Sequence, residues 1–463
     1  MTLALRSGRF GALSDAPATF VLDGALVMDP PSGTADVREI AVVGGRIAEP
    51  ALAPADAPRI QADGLVVAPG FCDLHAHLRE PGGEDAETVA GGSRAAAHGG
   101  FTTVCAMPNT DPPIDDPASV TWLLARASDA SCRVRVVAAA TAGRAGVELP
   151  DYAALAAAGA VAVSDDGASI PTGRLASRAM VAVAAAGLPL IEHAEDASLA
   201  AGTAMRAGPV ATRLGLAGWP ASAEAVVVER DIALAAETGA RVHFTHLSTS
   251  GSVEAVRRGK AAGLPITCDV TPHHLALTDA WVAGDRRFSW ETGDDDDVAR
   301  PLEDGLAYDG RCRVNPPLPS REDALALLGA LADGTVDAIA TDHAPHPPQR
   351  KAVPFEEASP GMIGLETALS VGLAAVDAGR LSLRRLIEAL SISPARVIGE
   401  ERSLVAGRPA DLVVFDPASR WTVDPRRLAG GSHNTPLLGR ELPGLVRLTV
   451  AAGRVTWDDG LLA

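Results

Sequence analysis

Between Leu65 and His346 short apolar runs alternate with longer, alanine-rich stretches. The runs are "LVVAPGFCDLH", "FTTVCAMPN", "RVRVVAAAT", "GAVAVSDDG", "LPLIEHAED", "RVHFTHLS", "LPITCDVTPHH" and "VDAIATDHAPH". Apolar runs of this length, closed by polar residues, suit strands buried on both faces of a parallel sheet. Most intervals between them are long enough for a crossover helix. Eight such units in succession predict an α/β fold of the (β/α)8 barrel type.

The two chain ends follow another pattern. From about Ala18 to Ala68 the segments "TFVLDGALVMD", "EIAVVGGRIAE" and "RIQADGLVVAPG" are short and β-like, with glycine turns between them. After "SISPARVIG" the chain returns to such segments in "ADLVVFDP" and "VRLTVAAGRVTWDD". The ends are expected to fold together as one discontinuous small β-sandwich, from residues 1–66 and 399–463, around a barrel of residues 67–398. One stretch, about 281–310, exceeds a simple unit; its acidic run Asp294–Asp297 reads as solvated surface rather than a metal site.

Composition narrows the partners. The net charge of −18 argues against nucleic acid or an anionic membrane, so an anionic substrate needs local arginines to hold it. Five dispersed cysteines without a C-x-x-C pair read as reduced thiols of a cytoplasmic protein. The N-terminus lacks the apolar core of a signal peptide, and no run approaches the roughly 20 apolar residues of a membrane span.

The candidate chemistry gathers where the strands end. In a barrel, active sites are built at the C-terminal rim from several strands. Strand one ends in His75 and His77, strand four in Asp165 and Asp166, strand five in His193, strand six in His246 and strand eight in Asp342. Each has a plainer explanation alone: a hydrogen-bonded histidine, a turn in "SDDG", a helix cap in "TDHAPH". Together, four imidazoles and two carboxylates on one rim would supply two metal ions with a shared carboxylate. Nitrogen and oxygen donors without thiolate favour zinc, with manganese or cobalt as substitutes. Such a site performs metal-assisted hydrolysis of an amide-like bond or its reversal, and Asp342 is the candidate proton carrier. Strand alternation along "AVAVSDDG" puts Val161, Val163 and Asp165 on one face and Ala162, Ser164 and Asp166 on the other. The small residues suit the barrel interior, which favours Asp166 as the bridge and leaves Asp165 outside.

The ordered motifs "GFCDLHAHLREPG", "GGFTTVCAMPNTDPPID", "SDDG", "EHAED", "HLSTS", "RVNPPL", "ATDHAPH" and "PGMIGLETAL" resemble the dihydroorotase family of the amidohydrolase superfamily, in its bacterial "DDG" form. The resemblance implies reversible, metal-dependent cyclisation of N-carbamoyl-L-aspartate to L-dihydroorotate, the third step of de novo pyrimidine synthesis. It implies two zinc ions on His75, His77, Asp166, His193, His246 and Asp342. It places Arg79, Asn109 and Asn315 at the substrate carboxylate, His346 in the same pocket, and the backbone of Pro360 and Gly361 at the substrate ring. A guanidinium fork suits the carboxylate; "PNTDPP" around Asn109 is equally good turn chemistry. His273 and His274 have no assigned role and read as structural. A homo-oligomer, as a dimer, is expected, and such subunits also associate with aspartate transcarbamoylase, some as scaffolds without metal ligands. The enzymatic alternative is another cyclic amidohydrolase of the allantoinase or hydantoinase type. Those relatives bridge their metals through a carboxylated lysine, which would sit where Ser164 is; the lysines here, Lys260 and Lys351, lie far from "AVAVSDDG" in sequence.

Overall fold

A computed structural model describes residues 8–291 and 305–462. Its centre is a barrel of eight parallel strands, hydrogen-bonded in chain order. They are β1 (Phe71–Ala76), β2 (Phe101–Ala106), β3 (Arg133–Ala139), β4 (Ala160–Ser164), β5 (Leu190–Glu192), β6 (Val242–Phe244), β7 (Ile266–Val270) and β8 (Ala338–Ile339). Just past β8 the ring closes: Ala76 bridges His343 in parallel, and His77 N–H donates to the His343 carbonyl at 2.9 Å. Each of the eight apolar runs supplies one of these strands.

The helices between strands start on side-chain caps, as at Thr88, Asp116, Asp151, Thr172, Thr249 and Ser320. Their alanines pack closely against the outer faces of the strands. Leu74, Cys105, Met107, Val137, Ala162, Ile191, Ala338 and Ala340 form a separate core inside the barrel. Most are small or slender, which leaves room for the polar groups above them.

The chain ends build a nine-stranded sheet. One of its two longest strands, Leu412–Thr422, alternates at its start: Leu412 and Val414 join the small domain's own core, Val413 and Phe415 the barrel's. The sheet thus folds over one core as a small sandwich and docks its other face on the helices. One expected strand is divided. "LVVAPGFCDLH" breaks at Gly70, so Val66–Pro69 pairs with Leu412–Thr422 while Phe71 begins the barrel. A Cβ on Gly70 would lie 2.2 Å from Thr102 Cγ2, so the crossing between the sheets is too tight for a side chain.

The acidic run Asp294–Asp297 lies outside the described residues. The described part of that insertion is no solvated loop. Trp281, Phe288 and Trp290 are buried in the main core, and the Arg440 guanidinium lies 3.6 Å over the Phe288 ring. All five cysteines are buried and free. Among the described residues no helix is long and apolar enough to cross a membrane.

Candidate active site

The barrel rim brings His75, His77, Asp166, His193, His246 and Asp342 together, all buried. Two trios could each hold a metal ion: His75, His77 and Asp166, and Asp166, His193 and His246. Asp166 belongs to both. Its Oδ1 lies 3.2 Å from His75 Nε2, 3.5 Å from His193 Nδ1 and 3.6 Å from His246 Nε2, while Oδ2 lies 3.6 Å from His77 Nε2. Asp342 Oδ1 sits 3.1 Å from His77 Nε2 and 3.5 Å from His75 Nε2. Asp165 turns away, accepting the Thr141 N–H at 2.9 Å and its hydroxyl at 2.5 Å. The interior face of β4 carries Ala162 and the outer face Val163. Val161, by contrast, packs against the interior cluster, next to a register shift between β3 and β4.

Neighbours fix the ring tautomers. Thr245 Oγ1 donates to Asp269, so it accepts from His75 Nδ1–H at 2.9 Å. Asn109 Oδ1 is an acceptor 2.8 Å from His77 Nδ1, which therefore carries a proton as well. Both rings thus turn Nε2 toward the carboxylates, and His75 Nε2 is buried without a hydrogen-bond partner. A bare imidazole nitrogen facing a carboxylate oxygen across these distances repels it unless a cation lies between them or the ring takes a second proton. Both outcomes need positive charge. Burial disfavours the charged His75 ring, but Asp166, Asp342 and Asp269 outweigh it and raise the group to about 9. Burial would raise Asp166 and Asp342 too; the surrounding imidazoles overcome this and hold both carboxyls well below their usual range. Burial, with the charge of Arg79, lowers His77. The orphaned nitrogen, the facing carboxylates and the N/O donor set fit metal cations.

Beside this cluster opens a cavity of about 290 Å³ lined by Arg79, Asn109 and His346, among others. Asn109 links the two regions, since its Nδ2 donates to Asp166 Oδ2 at 3.0 Å and keeps one further N–H. Arg79 Nε donates to the Pro345 carbonyl at 3.2 Å. His346 Nε2 lies 2.8 Å from the Pro360 carbonyl and so carries a proton, which makes its 3.4 Å approach to Arg79 Nη2 a contact of two donors. Burial and then Arg79 lower His346 to about 3, leaving the ring neutral. Asn315 Nδ2 lies 3.4 Å from His193 Nε2. Gly361 adjoins His346, whose Nε2 would lie 3.1 Å from a Cβ there, but its N–H donates to Arg313 O at 2.9 Å and its carbonyl is also occupied within the chain. His273 and His274 are buried, and His274 Nε2 donates to the Pro316 carbonyl at 2.9 Å.

Other residues of this region were not singled out by sequence. Arg144 donates to the carbonyls of Asp165 and Asp166 and holds the turn after β4. Asp269 accepts the His246 N–H at 2.6 Å and bonds His243 and Thr245. Asn434, far along the chain, bonds the His346 backbone. For Asp269 a signal existed, an acidic residue inside the otherwise apolar run "LPITCDV". Arg144 ends a short 3-10 turn and Asn434 sits in a loop, both of ordinary composition.

A family model described as "Dihydro-orotase-like" matches residues 64–252. A dihydroorotase of Anaeromyxobacter dehalogenans is 48% identical over 95% of this chain and 98% of its own length. A dihydroorotase of Pelotomaculum thermopropionicum is 42% identical over 96% and 99%. Among solved structures, the L-hydantoinase (dihydropyrimidinase) of Arthrobacter aurescens matches with a TM-score of 0.79 at 23% identity, covering 95% of this chain and 96% of its own. The dihydropyrimidinase of Brevibacillus agri NCHU1002 matches at 0.77 and 18%, covering 95% of each chain. Those two likenesses establish the shared barrel-and-sandwich fold; the sequence relatives, matched over nearly their whole length, establish that the chain belongs to the dihydroorotase family.

Proposed function

We propose that this chain interconverts N-carbamoyl-L-aspartate and L-dihydroorotate, forming or opening the cyclic amide in de novo pyrimidine synthesis. The observation that carries this is Asp166, shared by two histidine trios beside a cavity with an arginine, in a chain of the dihydroorotase family. His75, His77, Asp166, His193, His246 and Asp342 would hold two zinc ions. When bound, such ions polarise the amide carbonyl and acidify water to near neutral pH. The remaining work falls to the chain. Arg79 and the spare N–H of Asn109 hold the substrate carboxylate beside neutral His346. Asn315 and the wall at Pro360 and Gly361 confine the ring. In ring opening, Asp342 Oδ takes the proton of the attacking water and delivers it to the leaving ring nitrogen. In ring closure it takes the proton from the attacking ureido nitrogen and returns it to the departing water oxygen.

A carboxylated-lysine bridge, as in the hydantoinase alternative, has no donor close by. Lys260 Nζ bonds Thr335 O and Asp337, and Lys351 Nζ bonds the carbonyls of Arg313, Ser359 and Gly361. Five buried thiols support a cytoplasmic setting. The test is an assay of the purified protein on dihydroorotate, allantoin and dihydrouracil, with metal analysis of the same sample. Turnover of dihydroorotate with about two zinc ions per chain is expected, and preference for either other substrate would refute the proposal. Light scattering on that sample tests the expected dimer, and co-purification tests an association with aspartate transcarbamoylase.

A further inference from the structure

The segment 429–434, on its way to the last strands of the small domain, is tied to the barrel by hydrogen bonds. Ala429 N–H donates to Glu366 Oε1 at 2.8 Å, Gly431 N–H to Glu87 Oε2 at 2.7 Å, and Ser432 Oγ to the Ala86 carbonyl at 2.6 Å. This places Asn434, only 5% exposed, against the backbone of His346, which lines the substrate cavity. Its Oδ1 accepts the His346 N–H at 3.0 Å, and its Nδ2 donates to the carbonyls of Ala344 at 3.0 Å and Gly361 at 3.2 Å. The amide therefore spends both donors and its acceptor on the backbone of Ala344, His346 and Gly361, and so ties the His346 loop to the Gly361 loop.

Gly361 is gripped from a second side. Lys351, 6% exposed, donates from Nζ to the carbonyls of Arg313 at 3.1 Å, Ser359 at 2.6 Å and Gly361 at 2.9 Å. Burial lowers this amine to about 7, and among the described residues its hydrogen-bond partners are all backbone carbonyls. The bonds close a ring. His346 Nε2 reaches the Pro360 carbonyl, and a Cβ added to Gly361 (φ 130°) would lie 2.6 Å from Ala344 Cβ and 3.1 Å from His346 Nε2. Gly361 and His346 are thus linked both through the Pro360 carbonyl and through Asn434.

We propose that Asn434 and Lys351 are positioning residues for substrate binding, which together lock Gly361 and His346 into the wall that receives the ring and carboxylate. The inference rests on the function proposed above. Neither residue reaches the metal-binding cluster, so their loss falls on substrate affinity.

The test is Asn434→Asp, which keeps the shape and the acceptor but turns an oxygen toward the carbonyls of Ala344 and Gly361. KM for dihydroorotate is expected to rise at least about tenfold while kcat changes less than about threefold. Metal content should stay at the wild-type value. Wild-type KM in a variant that merely melts earlier would overturn the inference, since a purely structural role predicts that result. If Asn434→Asp does not fold, Lys351→Met is measured in its place. It removes the donors at similar volume and should give the same split, and an unchanged KM would again overturn the proposal. Wild-type protein inert toward dihydroorotate would overturn the proposed function and this inference with it; active wild type beside an unaffected variant overturns the inference alone.

Discussion

Replacing each aspartate of the "SDDG" turn separates the proposed bridge from its neighbour. Asp166 faces four ring nitrogens at 3.2–3.6 Å and belongs to both trios, so Asp166→Ala takes one of three protein donors from each. Losing a partner one layer out from a metal costs about 10–100-fold in affinity, so losing a donor should cost at least about 100-fold, or about 2.8 kcal/mol. Asp165→Ala removes the acceptor of the buried Thr141 N–H and hydroxyl instead. That should cost about 1–3 kcal/mol of folding stability and change metal affinity by less than about tenfold. Dialysis of both variants against graded chelator, then metal counting by mass spectrometry and a thermal melt, reads the two effects separately. Metal loss from Asp165→Ala with retention in Asp166→Ala would refute the reasoning. So would a dependence of wild-type activity on added bicarbonate, the mark of a carboxylated lysine.

Other perturbations test other parts of the same arrangement. Arg79→Lys keeps the charge and loses the fork, and should lower kcat/KM for dihydroorotate at least about tenfold at unchanged metal content; wild-type kinetics would remove Arg79 from the carboxylate. Asp342→Asn should lose at least about 100-fold of activity in both directions, because one group serves as base and acid. Its metal content must be measured alongside, and near-normal rates with metal bound would sink the assignment. Gly70→Ala sets a Cβ against Thr102 where the chain passes between sheets, and should destabilise the protein by about 1–3 kcal/mol in a denaturant melt.

The barrel was legible because each strand is a short apolar run ended by polar residues, a pattern that helix faces do not imitate. The rim residues were legible for the same reason, since histidine and aspartate stand out where such a run ends. The division at Gly70 was not, because "LVVAPGFCDLH" is apolar on both sides of the break and only the approach of Thr102 reveals it. Within the insertion the acidic run drew attention from Trp281, Phe288 and Trp290, which are buried in the main core. Asn434 and Lys351 were hidden for another reason. Their partners are backbone atoms 73 or more positions away in one case and 8 to 38 positions away in the other, and a side chain bonded to backbone imposes no residue type on its partner.

Backbone conformation explains where alternation stops being a guide. It separates Asp165 from Asp166 because the chain stays extended to the end of β4. At β6 it would fail: Phe244 packs outward in the main core, Thr245 turns inward to His75 and Asp269, and the next residue should point out again. His246 points in all the same, and its φ is 41°. A left-handed residue reverses the chain within one step, so consecutive side chains enter the same cavity. Such a conformation costs of the order of 1–3 kcal/mol and persists only where the surroundings impose it; here Asp269 holds the His246 N–H. Arg79 (φ 60°), Arg144 (φ 55°) and Asp342 (φ 46°) share this geometry, leaving only Tyr308 and Ala452 among the described non-glycine residues with positive φ outside the site. Strain therefore concentrates where strands end and chemistry begins. The barrel supplies parallel, regularly spaced positions, and a few left-handed residues, each tied by hydrogen bonds, bend that regularity into convergence on Asp166.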